Sequence, residues 1–429
     1  MIVETTFENG LRVVLEPQPW LPTVAFKVRL AAGALTEPEE LGGLSAVLEE
    51  WSFRGAGARS SRELADTLDS FGAFRSGGAG MEGTSFGGSC LAEDLNAVLE
   101  LFADVVLRPA LLDSEFSPSR DLVRQDLESQ DDSPAHKLFT RLRRAYYVSP
   151  HGRNVLGAPE SLARLTPELV RQDRERRFTP VGASVSLAGG VDAEPVFARL
   201  HELFANWGGG AVPMPPQVAR AGFYEHVPDT GAQEQIALMY PDIAPRADGW
   251  FESRLALNLL SNVGFSSRLV QKVREERGLA YSVSASSGVY HGGSALIVHA
   301  GTQAERAQES LDVILEVMDG LADGVTAAEL ERSRIGLQTS LVMSGESAAS
   351  RARALASDLH LYGRVRELSE VQAQLNAITL GDLNDFLARH RYANPAIMTL
   401  GSRELTPPPL TPTLLAGQSP VVNAGGGPQ

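Results

Sequence analysis

The chain has 429 residues, of which 43% are apolar and 21% are charged, and its formal net charge is −15. A chain of this length exceeds what a single hydrophobic core usually serves, so we expect at least two domains. The negative charge argues against nucleic acids and anionic membranes as partners, because phosphates and acidic headgroups would repel it. A cationic or unstructured peptide is compatible with this charge.

Cys90 is the only cysteine, so an internal disulfide is excluded. No stretch reaches the roughly eighteen apolar residues of a membrane span, and the first residues lack the pattern of a signal peptide. The first predicted strand, at 6–15, starts almost at Met1. We therefore expect a cytoplasmic protein.

The first half of the chain mixes strands that alternate polar and apolar residues with helices of amphipathic period. Glycines crowd residues 71–89, and Thr166, followed by Pro and Glu, has the pattern of a helix start. In chain order, the predicted elements are strands at 6–15 and 23–30, a helix that includes 45–50, a helix at 95–106, a helix that includes 120–126, and an apolar strand at 183–189.

The Gly- and Pro-rich segment 208–216 is typical of a linker. After it, we predict strands at 281–285 and 294–300, a helix start at Thr326, and an apolar strand at 396–401. Beyond residue 405 the periodicity ends, which favours a flexible tail.

An internal repeat is the strongest organisational signal. Residues 95–105 have a counterpart at 311–321, and residues 165–189 have one at 378–401. Both pairs are separated by about half of the chain, so we predict two homologous halves. The predicted organisation is a domain at 1–208, a linker at 209–217, a domain at 218–405, and a tail at 406–429.

The helix around residues 45–50 has the spacing of a metal site but lacks its ligands. In residues 43–55, GLSAVLEEWSFRG, Ala46 and Glu50 are four residues apart on one helix face, and Glu49 precedes Glu50. The segment resembles the pitrilysin family of inverted zincins, in its mitochondrial-processing-peptidase-like branch, whose helix reads G-x-A-H-F-L-E-H-M-x-F-K-G. In that family the two His bind zinc and the Glu is the general base, so Ala46 and Glu50 stand at the metal positions and Glu49 at the general-base position.

The family's third ligand is a Glu in a helix of the form R-x-x-V-x-x-E, and residues 120–126 place Asp126 there. Glu50 and Asp126 alone form a carboxylate pair that suits hard cations and binds them weakly, whereas zinc prefers imidazole and thiolate. We therefore expect no metal in this chain. None of its eight histidines forms an H-x3-H pair that could relocate the site.

Residues 265–283, FSSRLVQKVREERGLAYSV, resemble the family's F-x-S-R-L-x-x-x-V-R-E-x-x-G-L-A-Y-S-V. The resemblance implies that Arg274 and Tyr281 hold substrate carbonyls and stabilise the charge that develops on the scissile one. A guanidinium fork and a phenol are suitable donors for this purpose. We expect Gly278 to end the helix that carries Arg274 and Tyr281 to begin a strand. The alternative is a surface Arg274 that pairs with a neighbouring Glu, and a half-buried strand Tyr.

The Gly-rich segment 71–89 has no nucleotide-binding context, because neither a P-loop nor a strand followed by G-x-G-x-x-G and a helix occurs. In the family this segment includes the edge strand that pairs with substrate. Residues 77–84 depart from the family's polar pattern, so we expect a mobile segment there and no pairing with substrate.

The pattern of strands and helices, without strict alternation, favours an α+β fold. The resemblance implies two homologous domains, each a mainly antiparallel sheet with helices packed on one face. It also implies a bacterial protein, and pairs of subunits in which one carries the zinc motif and the other lacks it.

Three functional hypotheses follow. In the first, this chain is the non-metal-binding subunit of a heteromeric zinc endopeptidase, inactive alone, and an active homologous partner supplies the zinc. In the second, it is a non-catalytic homodimer that binds peptides as a scaffold. In the third, Glu49, Glu50 and Asp126 retain weak hydrolysis of their own, which stoichiometric zinc in the purified chain would support.

Overall fold

The computed structural model describes residues 1–262 and 266–416. Phe265, the first residue of the second motif, and the part of the predicted tail beyond residue 416 lie outside the described residues. Within them, no helix combines the length and the apolar character needed to cross a membrane.

The first half of the chain contains the predicted helices and strands, but the strand predicted at 6–15 is two antiparallel strands joined by a turn. In chain order they are β1 (Val3–Thr6), β2 (Arg12–Pro17), β3 (Thr23–Leu30), α1 (Leu44–Ser52), β4 (Gly55–Ala56), β5 (Arg59–Ser60), α2 (Ser61–Ser70), β6 (Phe74–Ala79), β7 (Thr84–Leu91), α3 (Leu95–Leu107), α4 (Asp113–Gln130), α5 (Pro134–Tyr146), α6 (Pro159–Arg164), α7 (Pro167–Arg177), β8 (Ser184–Gly189) and α8 (Ala193–Phe204).

The second half repeats this order in part. Its elements are β9 (Val218–Ala221), β10 (Phe223–Pro228), β11 (Glu234–Asp242), α9 (Trp250–Leu257), two π-helical segments (Asn258–Asn262 and Val270–Glu275), β12 (Ala280–Tyr290), β13 (Gly293–Thr302), α10 (Ala307–Asp319), α11 (Ala327–Gly345), α12 (Ala348–Tyr362), α13 (Leu368–Ala377), α14 (Leu380–Arg389), β14 (Ala396–Gly401) and β15 (Thr413–Ala416).

Two compact units form, and neither is a single stretch of chain. Unit 1 contains residues 1–130, 153–215 and 342–367, and unit 2 contains the remainder. Each unit therefore takes one helix from the other half of the sequence: α12 belongs to unit 1 and α5 to unit 2. The domain boundaries proposed from the sequence stay a prediction.

Unit 1 is built on a six-stranded sheet in the order β1-β2-β8-β3-β7-β6. All neighbours are antiparallel except β2 and β8. Alternate residues of β3, such as Phe26 and Val28, enter a core shared with α1 and α3. Residues 77–84, which we predicted to be mobile, lie in the edge hairpin of β6 and β7 and include the turn between these strands. The α+β fold with a mainly antiparallel sheet is confirmed.

The opposite face of this sheet is covered in part by α12. Ala352 of this helix packs against Ala25 of β3 and Ala188 of β8, and small side chains allow the helix to approach the sheet closely. Ser186 Oγ donates a hydrogen bond of 2.8 Å to the Ala352 carbonyl. Buried Arg351 pairs with Glu16 of β2. One helix therefore lies on the face that the sequence prediction left uncovered.

Unit 2 contains a five-stranded sheet in the order β10-β14-β11-β13-β12, in which only β10 and β14 are parallel. Its own core includes Leu238, Val298 and Ile314. The repeat predicted from the sequence is visible here, since α10 and α14 correspond to α3 and α7.

The predicted helix starts are also confirmed. Thr166 Oγ1 accepts a hydrogen bond from Leu169 N, and Thr326 exchanges hydrogen bonds with Glu329 before α11.

The tight packing of α12 gives a first prediction. Replacing Ala352, which is 2% exposed, with Phe should lower the free energy of unfolding by about 1–3 kcal/mol, because the ring has no space between helix and sheet. Urea unfolding measures this. The control Ser357→Phe, at an exposed position of the same helix, should change it by less than about 0.5 kcal/mol. Equal effects of the two changes would contradict the packing described for α12.

Candidate functional site

Helix α1 begins at a buried carboxylate. Gly43 precedes the helix with a φ of 91°, and a Cβ atom there would lie 2.5 Å from the Leu156 carbonyl oxygen, so only glycine fits. The Glu37 side chain accepts hydrogen bonds from the N–H groups of Gly43 (3.0 Å) and Ser45 (2.6 Å). It therefore satisfies N–H groups at the helix start and places a negative charge at the positive end of the helix dipole.

Arg177 of α7 completes this cluster. Its side chain is fully buried, pairs with Asp173, and donates hydrogen bonds to Ser45 Oγ (3.1 Å) and the Gly33 carbonyl (3.0 Å). Burial raises the pKa of Glu37, and the Arg177 charge and the helix N–H groups oppose that rise. Removing one member would leave a buried charge without its partner, which is costly. The cluster thus fixes the position and the direction of α1.

Glu50, at the second metal position, is engaged by arginines. Arg54 Nε and Nη2 both donate to Glu50 Oε1, at 3.0 and 2.6 Å, and Arg75 Nη2 of β6 lies 3.9 Å from Oε2. The Arg75 guanidinium also lies 4.6 Å from the centre of the Phe53 ring. Two positive groups therefore face the carboxylate on which a metal ion would depend.

The other two metal positions, Ala46 and Asp126, do not complete a ligand set. Ala46 is buried and has no ligand atom, and Asp126 lies exposed on α4. In residues 1–262 and 266–416, no group of three or more His, Cys, Asp or Glu side chains is arranged to hold a metal ion. Zinc needs three protein ligands at a catalytic site, so the donors present do not fit it.

Glu49 keeps the general-base position and is largely buried. Burial and, to a smaller extent, the neighbouring Glu50 charge raise its pKa while Arg75 lowers it, and together they bring the pKa to about 7. A carboxyl group that titrates near neutral pH can accept a proton. The water that such a base would activate is bound by a metal ion in zinc peptidases, and the donors at the metal positions here do not fit zinc.

A cavity of about 530 Å³ in unit 1 opens beside this helix. Glu50, Arg54 and Arg75 line one part of it, and the apolar side chains of Leu64, Leu68 and Phe74 line another. Phe74, at the start of edge strand β6, is 77% exposed. The cavity can therefore accept an apolar side chain next to an exposed strand edge.

Arg274 and Tyr281 lie together in unit 2, on either side of a turn. Gly278, with a φ of 58°, ends the π-helical segment, and its N–H donates to the Arg274 carbonyl at 3.0 Å. The register of β12 on β13 shifts between Ala280 and Ser282, so Tyr281 is an extra residue in an edge strand. The predicted helix end and strand start are confirmed.

The side chains of this pair are accessible. Tyr281 is 88% exposed and is not the half-buried strand residue of the alternative interpretation. Arg274 is half exposed, and its guanidinium lies 3.5 Å from the Glu275 carboxylate, as that alternative expected. Exposed ion pairs are worth little, so the contact with Glu275 by itself holds the Arg274 side chain weakly.

Two family models match the chain. Residues 12–159 match the family described as insulinase (peptidase family M16), and residues 164–337 match the peptidase M16 inactive domain. An uncharacterized zinc protease of Mycobacterium bovis is 30% identical over 418 residues, which is 94% of each chain. The uncharacterized zinc protease YmxG of Bacillus subtilis is 28% identical over 93% of this chain and 98% of its own. The chain therefore belongs to the M16 peptidase family, a pitrilysin-family homologue.

Solved structures support the fold. The peptidase M16 inactive domain from Pseudomonas fluorescens matches with a TM-score of 0.84 and 18% identity, over 95% of this chain and 99% of that one. A protease from Helicobacter pylori matches with a TM-score of 0.83 and 22% identity, over 93% and 99%. The two-domain M16 fold is thus shown.

The sequence prediction missed the residues that neutralise and anchor α1. The i,i+4 spacing of Glu50 and Arg54 was a visible signal for one ion pair. No sequence signal pointed to Arg75, Glu37 or Arg177, because their contacts join distant parts of the chain.

The donor set gives a second prediction. After dialysis against micromolar zinc and removal of free metal, the purified chain should contain far less than one zinc ion per molecule, because Ala46 offers no ligand and Arg54 occupies Glu50. Elemental analysis by mass spectrometry measures this. Stoichiometric zinc that Glu50→Gln removes would contradict it.

Glu49 gives a third prediction. Its raised pKa means that the folded state binds more protons than the unfolded state, so its contribution to stability falls as the pH rises from about 4.5 to about 7. Glu49→Gln should therefore be about 2 kcal/mol more stabilising at pH 8 than at pH 5. Urea unfolding at both pH values measures the difference.

The control for that experiment is Glu93→Gln, which changes an exposed side chain and should alter stability by less than about 0.5 kcal/mol at either pH. If Glu49→Gln had the same effect at pH 5 and pH 8, the burial and charge assigned to Glu49 would be wrong.

Proposed function

We propose that this chain is the non-metal-binding subunit of a heteromeric zinc endopeptidase. In this proposal it holds peptide substrates and stabilises carbonyl charge, while a homologous partner subunit with an intact H-x-x-E-H motif supplies zinc and its activated water. The main support for the proposal is that the metal ligands are missing while the residues expected to bind substrate are present. The metal positions Ala46, Glu50 and Asp126 lack a ligand set, whereas Arg274 and Tyr281 are present and accessible.

The candidate residues have different roles in this proposal. The Arg274 guanidinium and the Tyr281 hydroxyl would donate hydrogen bonds to substrate carbonyls, including the one that becomes an oxyanion. Glu49 is retained at the general-base position and has no assigned step. The edge strand β6 and the cavity beside it would hold an extended substrate by its backbone and one apolar side chain.

Family membership supports a peptidase relative, and the match to the M16 inactive domain supports pairing with an active M16 subunit. Zinc enters the proposal through the names of the relatives, which are called zinc proteases. We also propose that the partner is a homologous M16 subunit and that the protein is bacterial.

A peptide-binding scaffold without catalysis is the second candidate. It is favoured by exposed edge strands such as β6 in unit 1 and β12 in unit 2, since edge strands can pair with an extended peptide. The two candidate functions differ in whether the chain needs a homologous partner subunit to act. A chain that binds only copies of itself and leaves peptide cleavage by every M16 homologue unchanged would favour the scaffold.

The fourth prediction tests the role of the Arg274 and Tyr281 pair. In a mixture with an H-x-x-E-H homologue, for example one encoded by an adjacent gene, Arg274→Ala should lower kcat/KM for peptide cleavage about 10²-fold, because an oxyanion donor is lost. Tyr281→Phe, which removes only the hydroxyl, should lower it by a similar order. Fluorogenic peptide cleavage measures both.

The matched control is Arg277→Ala, which removes an exposed arginine in the next turn that pairs with Glu316. It should leave cleavage within about twofold of the unmodified chain. If Arg274→Ala behaved like Arg277→Ala, the assigned role of Arg274 would be wrong.

A further inference from the structure

We infer that the face of the unit 1 sheet opposite α1 binds acidic peptide segments, through Lys27 and Arg29 of β3 and Arg353 of α12. This face is distinct from the degenerate metal site, because residues of β3 alternate between the core that contains α1 and the opposite face. The inference goes beyond the proposed function by naming a second peptide-binding surface and its ligand class, and it rests on the proposal that the chain holds peptides.

The sheet forms a shallow floor next to these cations. Lys27 pairs in register with Gly87 of β7, and Gly87 pairs with Ser76 of β6. In the next row, Arg29 pairs with Ser85, and Ser85 pairs with Gly78. Between β3 and the edge of the sheet, these two rows therefore carry no side chain larger than serine.

The dimensions of this floor suit an extended chain. Two strand spacings make it about 10 Å wide, which is enough for one peptide backbone. Exposed Ser76 offers a hydroxyl donor, whereas the Ser85 hydroxyl donates to the Gly78 carbonyl at 3.4 Å. Helix α12 forms the wall on the other side. Helix α12 leaves Arg353 exposed, while Ala352 beside it packs on the sheet.

The charged side chains beside this floor that carry the inference are cations: Lys27 and Arg29 on β3, and Arg353 on α12. The Lys27 ammonium is half-buried, and among the residues that the structure describes it forms no ion pair with a carboxylate. Arg29 Nη2 donates to the Glu82 carbonyl at 2.8 Å, and the Glu82 side chain, which lies 2.7 Å from His360 Nε2, partly offsets the Arg29 charge. Glu82 is thus an acidic group beside Arg29 and His360.

Burial and the charges of Arg353 and Arg29 lower the pKa of Lys27. Neighbouring positive charges destabilise one another unless an anion lies between them. A carboxylate placed between Lys27 and Arg353 would relieve that repulsion and form charge-assisted hydrogen bonds. The geometry and the electrostatics therefore favour the same class of ligand.

The local charge is opposite in sign to that of the whole chain. The formal charge of −15 attracts cationic partners at long range, but salt screens such effects beyond about 8 Å. At contact distance, the side chains that line the floor decide which peptide binds. An acidic segment that enters as an extended strand satisfies them, whereas a basic segment does not.

The experiment uses the full-length chain alone, so it needs no partner subunit. Fluorescence anisotropy would measure binding of the labelled peptide (Glu-Ser)4, with (Gln-Ser)4 and (Lys-Ser)4 for comparison. We expect the acidic peptide to bind at least about tenfold more tightly than either, with an affinity that falls as salt is added. Lys27→Met and Arg353→Gln should each weaken its binding at least about fivefold.

The matched control is Arg62→Gln, which removes a fully accessible arginine on α2 of the same unit. It should leave binding within about twofold. Thermal unfolding of Lys27→Met should show an equal or higher midpoint, because the change removes a half-buried cation from the neighbourhood of two others. Weaker binding would then not result from unfolding. Arg353→Gln changes an exposed side chain and gives an independent test.

Three results would overturn the inference: equal binding of the acidic and uncharged peptides, unchanged binding by both variants, or complete displacement of the peptide by about 10 mM inorganic phosphate, which would identify a small-anion site. The proposed function fails differently. Loss of the Arg274 effect in the mixed peptidase would leave peptide binding by Lys27 and Arg353 intact, and the reverse also holds.

Discussion

Helix α1 depends on the buried carboxylate of Glu37, which accepts hydrogen bonds from the helix start and is balanced by buried Arg177. In a metal-containing protein, the free energy of metal binding contributes to folding. Here the helix is fixed without a metal: the Glu37 cluster holds its beginning, and the indole N–H of Trp51 donates to the Leu112 carbonyl at 3.0 Å near its end. The positions of Glu49 and Glu50 follow from these two anchors.

The state of Glu50 explains why a single substitution would not recreate a zinc site. Arg54 binds its carboxylate through two donors, and Arg75 approaches from the edge strand. A metal would have to displace these groups and find two more ligands where Ala46 and Asp126 stand. The positive charges of Arg54 and Arg75 lie where a metal cation would lie. They offset the repulsion between the neighbouring carboxylates of Glu49 and Glu50. The donors at these positions therefore do not fit zinc.

Local and periodic features were predictable from the sequence. Thr166 and Thr326 start helices and Gly278 ends one, because each of these depends on residues close together in the chain. The repeat of similar segments half a chain apart led to two sheets of the same type. Contacts between distant residues were not predictable. Nothing near Ala352 in the sequence indicates that α12 packs on the sheet of unit 1, and nothing near Lys27 indicates that Arg353 faces it.

The central claim is that catalysis is divided between this chain and a homologue with an intact H-x-x-E-H motif. The most direct measurement compares peptide cleavage by an equimolar mixture of the two chains with cleavage by each chain alone. The account predicts that this chain alone is inactive and that the mixture is much faster than the homologue alone. If the homologue cleaved equally fast without this chain, or if this chain cleaved peptides alone, the account would be contradicted.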